Sequence, residues 1–212
     1  MDIPKIVLKP GKDKSIVRRH PWVFSGAIKE QIGEISEGSF VEVVANKGRH
    51  LGYGHYQNGS IMVRVLLFGN EQLTENIYEQ RIASAWTLRT SLGLVDSEET
   101  NIFRLIHAEG DFLPGLIIDH YAGHLVVQCH SIGMYLDIEK IKEALLTVIG
   151  DKVNSIYLKC TGTLPKTYTD YTGDRWLHNE VETPQIALEY GNKFAINWVT
   201  GQKTGFFIDQ RE

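Results

Sequence analysis

Short apolar runs separated by glycine and asparagine turns fill residues 1–72. Four such runs occur, at residues 6–8, 40–45, 50–56 and 61–68. The Asn58-Gly59 pair between the last two runs is a strong hairpin signal. The final run is apolar at nearly every position, which predicts a central strand. Several short strands at this spacing predict a small β-barrel.

Residues 73–197 change to a mixed pattern. Residues 74–91 and 137–149 have apolar positions at helical spacing, and Leu92-Gly93 ends the first of these helices. Short strands are predicted at residues 102–107, 116–119, 125–130, 153–158, 182–190 and 193–199, whereas residues 159–184 have no regular pattern. We therefore expect a small α/β domain in which strands flank a helix, and an α+β fold class for the chain as a whole.

Residues 198–212 have the features of a domain beginning. Gly201 and Gly205 lie four apart in a loop and let backbone pass close to a ligand or a strand. Asp209 and Glu212 have the spacing of a helix cap with its reciprocal carboxylate. The pattern predicts that a further domain starts here and is truncated.

Composition, the two cysteines and the distribution of charge each add to this picture. With 42% hydrophobic and 23% charged residues, and no apolar run long enough for a membrane span, the sequence is typical of a soluble protein. Cys129 and Cys160 lack CxxC spacing, which argues against a zinc site or a disulfide scaffold and favours the cytoplasm. The net charge is −4, yet residues 1–20 carry six basic and two acidic groups, so any polyanion is expected at this end.

Basic and aromatic residues occur together at two places in the first domain. Arg18, Arg19 and His20 precede Trp22 and Phe24. Arginine can form paired bonds to phosphate, and aromatic rings stack on unpaired bases. The two rings are expected to lie mostly in the core, while the arginines are expected to contact nucleic acid.

The second group repeats the theme more weakly. It consists of Arg49, Tyr53 and His55, and Tyr53 and His55 share a face of their predicted strand. Together with Lys9, both groups form the candidate RNA-binding set: Lys9, Arg18, Arg19, His20, Arg49, Tyr53 and His55.

Other candidate chemistry is weaker. His107, Glu109 and Asp111 could be imagined as metal ligands, but a histidine and acids leaving a strand are more often local hydrogen bonders, so no metal is predicted. Cys129 lies in an apolar strand and Cys160 has no neighbouring base in the sequence, so neither is a convincing nucleophile. The loop from Gly201 is not a P-loop, and no complete G-x-G-x-x-G motif occurs.

Several segments in consecutive order resemble the landmarks of one family. They are Lys9-Pro10-Gly11, residues 18–28 (RRHPWVFSGAI), residues 104–119 (RLIHAEGDFLPGLIID) and residues 201–212 (GQKTGFFIDQRE). This order resembles the S-adenosylmethionine-dependent large-subunit (23S) ribosomal RNA methyltransferases that begin with a PUA domain and modify cytosine at C5. Residues 159–176 depart from the family pattern, because Lys159-Cys160-Thr161-Gly162 stands where a more polar, arginine-containing run is expected.

The resemblance implies a PUA-like RNA-binding domain over residues 1–72, a central α/β domain over 73–197 and the start of a truncated methyltransferase domain over 198–212. It also implies that the C-terminal Rossmann-like methyltransferase domain is absent from this chain, which would then correspond to the N-terminal part of the enzyme. The implied cofactor is S-adenosylmethionine, and the residues expected beside its partial site are Thr204, Phe206, Phe207, Asp209 and Arg211. No catalytic residue is assigned within the chain.

The function implied by the resemblance is RNA recognition and scaffolding in a methyltransferase that acts on large-subunit ribosomal RNA. The parent protein would be the enzyme, and the 212-residue chain is expected to be inactive alone. A stand-alone PUA-type module that assists a separate RNA-modifying enzyme is the alternative from another class. Ribosomal RNA is the expected partner, a membrane is not, and a homodimer is compatible with the sequence.

Overall fold

A six-stranded mixed sheet forms the first domain of the computed structural model, which describes residues 3–171 and 173–208. Its strands are β1 (Lys5–Leu8), β2 (Trp22–Phe24), β3 (Ile28–Ile32), β4 (Phe40–Val44), β5 (His50–Tyr56) and β6 (Ile61–Phe68). A short helix α1 (Lys14–Val17) and a 3₁₀ turn (Ser25–Ala27) connect them. The sheet order is β2-β6-β5-β4-β1-β3, in which β1 and β4 are parallel and the other neighbours antiparallel.

The predicted small β-barrel is wrong, because this sheet is open and resembles half a barrel. β2 and β3 are its two edges and do not pair with each other in the described residues. The polar residues Lys29, Glu30 and Gln31 of β3 are exposed, as suits an edge strand. β5 and β6 lie so close that a Cβ on Gly52 would come within 2.1 Å of the Leu67 carbonyl oxygen, which explains a glycine in a central strand.

The second domain is built on a five-stranded sheet with the order β11-β10-β9-β8-β7. Its elements are α2 (Ile77–Ser91), β7 (Ile102–His107), β8 (Leu116–Tyr121), β9 (His124–Cys129), α3 (Ile132–Leu136), α4 (Ile138–Ile149), β10 (Ser155–Leu158), β11 (Arg175–His178), β12 (Gln185–Glu189) and β13 (Asn192–Ile196). Three 3₁₀ segments connect some of them, at Ala108–Asp111, Gly150–Lys152 and Lys166–Tyr171. Within the described ranges, no helix is long and apolar enough to span a bilayer.

The helices and the last hairpin pack on opposite faces of this sheet. Leu116, Ile118 and Val127 point into a core shared with α2 and α4, while Tyr121 and Val126 point into a second core formed with β12 and β13. The expectation that strands flank a helix is therefore wrong: β7–β11 form one continuous sheet, which separates the helices from the hairpin. Strand alternation makes this arrangement possible, because neighbouring residues face opposite sides.

One histidine in this sheet is buried in its neutral form. His120 is 7% exposed and stacks on Phe103 with ring centroids 4.3 Å apart. Its Nδ1 lies 3.1 Å from the Asn101 carbonyl oxygen, and the Gly123 amide donates to its Nε2 over 3.2 Å. These two partners fit a ring protonated at Nδ1 and unprotonated at Nε2. Burial lowers the pKa of His120 to about 4.

We expect His120→Gln to remove part of the acid sensitivity of the fold. Because the folded-state pKa lies below the unfolded value of about 6.5, the unfolded state takes up a proton first as the pH falls. Stability from neutral His120 is complete above pH 6.5 and declines toward pH 4, by about 3 kcal/mol in total. Urea unfolding at several pH values measures this decline. His178→Gln, on β11, is the control, and an equal decline in both variants would contradict the prediction.

Candidate nucleic-acid interface and cofactor cleft

A cleft of about 490 Å³ opens on the hairpin side of the second sheet. Strand residues form its floor and the segment after β13 forms its rim. The lining residues are Arg104, Ile117, Gln128, His130, Lys159, Thr161, Gly162, Thr163, Lys203, Thr204, Phe206, Phe207 and Ile208. Basic groups and two phenylalanine rings are thus present in one concave site, a combination that suits an anionic ligand with a flat ring.

A buried carboxylate anchors the rim to the floor. Asp119 is 0% exposed and accepts a hydrogen bond from Arg104 Nε at 2.8 Å and another from Thr204 Oγ1 at 2.7 Å. The hydroxyl of Tyr121 donates to Thr204 Oγ1 at 3.1 Å. Burial, and secondarily the charge of Asp119, raises the pKa of Tyr121, so this hydroxyl stays a donor. Because Asp119 has two such partners, its charge is compensated in the core.

A lysine holds the loop between β13 and the rim. Lys159 Nζ donates to the carbonyl oxygens of Trp198 and Gly201, and burial lowers the pKa of Lys159. Trp198 is fully buried and lies parallel to the Tyr121 ring, with centroids 6.1 Å apart. A Cβ on Gly201 would come within 2.3 Å of the Asn197 carbonyl oxygen, so this loop requires glycine there. The loop is therefore fixed in place.

The predicted cofactor residues fall into three groups. Thr204 is 2% exposed and its hydroxyl is used by Asp119 and Tyr121, so it holds the rim in place. Phe206 and Phe207 both line the cleft, and Lys203 Nζ lies 4.8 Å from the centre of the Phe207 ring. Asp209 and Arg211 lie outside the described residues.

Five of the predicted RNA-binding residues are exposed on the first domain: Lys9, Arg18, Arg19, His20 and Arg49. Some of them have intramolecular partners. Arg19 pairs with Glu71 at 2.8 Å, Arg49 pairs with Asp13 at 2.7 Å, and Lys9 Nζ donates to the Gly26 carbonyl oxygen at 3.0 Å. Exposed pairs of this kind are weak enough for a phosphate to compete with them.

The other two residues of the predicted set are less accessible. Tyr53 is half-buried against His50, with ring centroids 4.8 Å apart. His55 is 1% exposed, and its Nε2 lies 3.2 Å from Asp137 of the second domain. A surface contact between His55 and RNA is therefore excluded, because its burial leaves no ring edge for a nucleotide, and His55 is removed from the candidate set.

His55 belongs to a polar contact that joins the two domains. The Tyr78 hydroxyl donates to Asp137 Oδ2 over 2.6 Å, and Lys140 donates to Asp137 Oδ1 over 2.6 Å. Burial alone would raise the pKa of Asp137, but the hydrogen bonds from His55, Lys140 and Tyr78 outweigh it and lower that pKa. Ionised Asp137 therefore bridges residues of both domains at neutral pH.

A second group of side chains at the boundary between the domains was not predicted from the sequence. Trp22 and Arg64 are paired neighbours on β2 and β6, and Trp22 Nε1 donates to Glu109 Oε1 at 2.9 Å. His130 follows β9 on the other side of this boundary and lines the cleft. Trp22 and Glu109 lie 87 positions apart in sequence, so no local pattern could have linked them.

The remaining candidates have structural roles. Asp111 receives two hydrogen bonds from the Arg89 guanidinium, at 2.6 and 2.8 Å, so its charge is neutralised within the protein. No group of three or more potential ligands is arranged for a metal ion among the described residues. Cys129 and Cys160 are both 0% exposed, and the Cys129 amide donates to Cys160 Sγ over 3.3 Å. Hydrogen bonding to Cys160 and burial raise the pKa of the Cys129 thiol.

The half-barrel sheet, the attached mixed sheet and the basic cleft define a protein with a PUA-like domain on an α/β body. Residues 6–68 match the family model described as a PUA-like domain. Over 98% of its length, the chain is 37% identical to "Ribosomal RNA large subunit methyltransferase I" of Shewanella amazonensis and 34% identical to the protein of that name from Pseudoalteromonas atlantica. The chain spans about half the length of these curated relatives, 52% in each case.

Solved structures show the same fold. A putative SAM-dependent methyltransferase from Streptococcus mutans superposes with a TM-score of 0.79 at 18% identity, over 99% of this chain and 52% of that one. SMU.776, a putative methyltransferase complexed with SAH, gives the same TM-score at 17% identity. The predicted fold class, defined partly by an absent Rossmann-like domain, is therefore corrected: nearly the whole chain has the fold of the matched half of a methyltransferase chain.

Proposed function

We propose that this chain is the RNA-recognition and scaffold part of a methyltransferase that uses S-adenosylmethionine and modifies large-subunit ribosomal RNA at cytosine C5. The observation that carries the proposal is the cleft, in which basic groups and the Phe206 and Phe207 rings surround about 490 Å³ beside a PUA-like domain. The names of the relatives support the reaction class and the RNA class. In this proposal the chain corresponds to the N-terminal part of the enzyme and acts in the cytoplasm.

The exposed basic residues of the first domain would hold the RNA backbone. Lys9, Arg18, Arg19 and Arg49 supply positive charge, His20 is exposed next to Arg19 in the chain, and the half-buried Tyr53 lies on β5 of the same domain. Phosphate contacts position a nucleic acid without reading its sequence. The RNA would therefore be oriented by this face and would present its target base toward the cleft.

The rim of the cleft suits part of a cofactor. Phe207 is 45% exposed with Lys203 beside it, so a flat adenine ring has an aromatic surface and a cation within reach. Thr204 keeps that rim in position through Asp119, and Asp209 and Arg211 belong to the same proposed site. When bound, S-adenosylmethionine supplies the methyl group.

Cytosine C5 methylation needs a cysteine thiolate that adds to C6 of the base. C5 then takes the methyl group, and removal of the C5 proton by a base expels the thiolate from C6. Neither cysteine of this chain can be that nucleophile, because both side chains are fully buried and out of reach of a nucleotide. We therefore propose that the chain alone transfers no methyl group.

We expect the chain to bind large-subunit ribosomal RNA weakly, with an affinity that falls steeply as salt rises. Filter binding over a salt series measures this, and Arg18→Ala should reduce the slope of log affinity against log salt by roughly 0.7 to 0.9. Lys142→Ala on α4, paired with Glu139, is the matched charge control. Absent or salt-independent binding would contradict RNA recognition, and transfer of a labelled methyl group by the chain alone would contradict the proposed lack of activity.

A further inference from the structure

The interdomain group of Trp22, Arg64, Glu109 and His130 lies between the first domain and the cleft. Arg64 and Trp22 face each other across β2 and β6, and Trp22 is bonded to Glu109 just after β7. His130 interacts electrostatically with Glu109, Arg104 and Arg64, so these four charged or titratable groups are close together. His130 also lines the cleft, which makes the group continuous with it.

Two nitrogen atoms in this group have no hydrogen-bond partner among the described residues. They are Arg64 Nη1 and His130 Nε2, and both atoms are inaccessible to water. Burial lowers the pKa of Arg64, with Glu109 and then Tyr168 acting in the opposite direction. Glu109 acts electrostatically on the guanidinium, but Arg64 Nη1 has no hydrogen bond to it or to any other described residue. A buried polar group without a partner costs free energy, and a buried charge costs more.

An anion between Arg64 and His130 would remove this cost. Both side chains are half-buried, and His130 lines the cleft, so a ligand in the cleft lies next to the His130 ring. A guanidinium forms paired hydrogen bonds with a phosphate, and an imidazole adds a third donor when it is protonated at the facing nitrogen. Lys203 adds a further positive charge in the cleft, so the arrangement suits a chain of phosphates better than one carboxylate.

We propose that Arg64 and His130 bind one phosphodiester of the RNA strand that runs from the PUA-like domain into the cleft. The site rests on the proposed function and deepens it, because it assigns the strand a path between the domains. The phosphate held there would belong to a nucleotide close to the one that enters the cleft. Trp22 and Glu109 act as positioning residues, since their hydrogen bond fixes β2, the edge strand that pairs with β6 at Arg64.

The test compares the binding of labelled oligouridylate by the wild type, Arg64→Gln, Arg64→Lys and His130→Gln across a salt series. We expect Arg64→Gln to weaken binding about tenfold and to reduce the salt slope by about 0.7, the value for one contact to single-stranded nucleic acid. Arg64→Lys should keep the slope of log affinity against log salt but lose part of the affinity, because lysine keeps the positive charge without the paired donors of the guanidinium. Lys152→Ala, which breaks an exposed pair with Asp96, is the matched charge control.

Each outcome decides one point. Oligouridylate binding by a folded Arg64→Gln variant with unchanged affinity and slope would overturn the phosphodiester site and leave the proposed function standing. If Arg64→Gln fails to fold, unchanged binding by His130→Gln together with Arg64→Lys overturns the site in the same way. Binding of inorganic phosphate that depends on Arg64 but does not displace the RNA at equal ionic strength would mark a free-anion site instead, and would overturn the assignment to RNA. No RNA binding by the wild type would overturn both proposals.

Discussion

Replacing Arg89 with alanine is expected to lower the free energy of unfolding by about 3–5 kcal/mol, the usual cost of removing one partner of a buried ion pair. Its guanidinium donates two hydrogen bonds to Asp111 and a third, at 3.0 Å, to the Arg104 carbonyl oxygen. The two side chains are only 10% and 7% exposed. Asp111 would keep a buried negative charge bonded to the His107 amide. Urea denaturation of the purified chain measures the loss.

A double variant distinguishes the cost of an unpaired buried charge from the contribution of the intact Arg89–Asp111 pair. Arg89→Met combined with Asp111→Leu removes both charges at similar volume, and such replacements are often neutral or stabilising. We expect the double variant to recover most of the stability that Arg89→Ala loses. If Arg89→Ala costs less than about 1 kcal/mol, like an exposed pair, the buried ion pair does not fix the turn after β7 to α2.

Gly133→Ala is expected to destabilise the contact between the domains by about 3 kcal/mol, at the upper end for overpacking. An added Cβ would lie 2.3 Å from Cγ and 2.4 Å from Nδ1 of His55. The His55 ring is 1% exposed and cannot move away without weakening its bond to Asp137. The variant should unfold at lower urea concentration and should be cleaved faster by protease between β6 and α2.

Gly26→Ala is the matched control for this substitution. No atom lies within 4 Å of the Cβ it would introduce, and Gly26 is exposed in the first domain. We expect its stability to change by less than about 0.5 kcal/mol. Equal stability of Gly133→Ala and the wild type would mean that the domains can separate slightly at no cost.

Local patterns predicted many of the elements because their signals lie within a few residues. The helical spacing of apolar residues predicted α4, and the Asn58-Gly59 turn predicted the β5–β6 hairpin. β3 and β11 were missed, since β3 is a polar edge strand and β11 lies within residues without a regular pattern. Sheet order was not predictable, because it depends on pairs such as β1 with β4, which are far apart in sequence.

The candidate site was predictable only where a family segment carried it. The family segment contains Phe206, which lines the cleft, but the floor residues Arg104 and Lys159 were not recognised, because Arg104 lies on β7 and Lys159 follows β10, far apart in sequence. His55 was misassigned for a related reason. Alternation of side chains shows which face of β5 carries His55, but it does not show which face the second domain covers. Contacts between domains are set by tertiary packing, which a single sequence does not display.

The buried contact of His55, Tyr78 and Asp137 has a consequence for the proposed function. Since it joins the half-barrel sheet to the body that carries the cleft, it fixes the distance between the exposed basic residues of the first domain and the cleft rim. Under the proposed function, the protein would select a base by its distance along the RNA strand from the phosphates that the first domain binds. A variant that weakens this contact should first lose selectivity for the nucleotide position, and only with further weakening should it lose RNA binding.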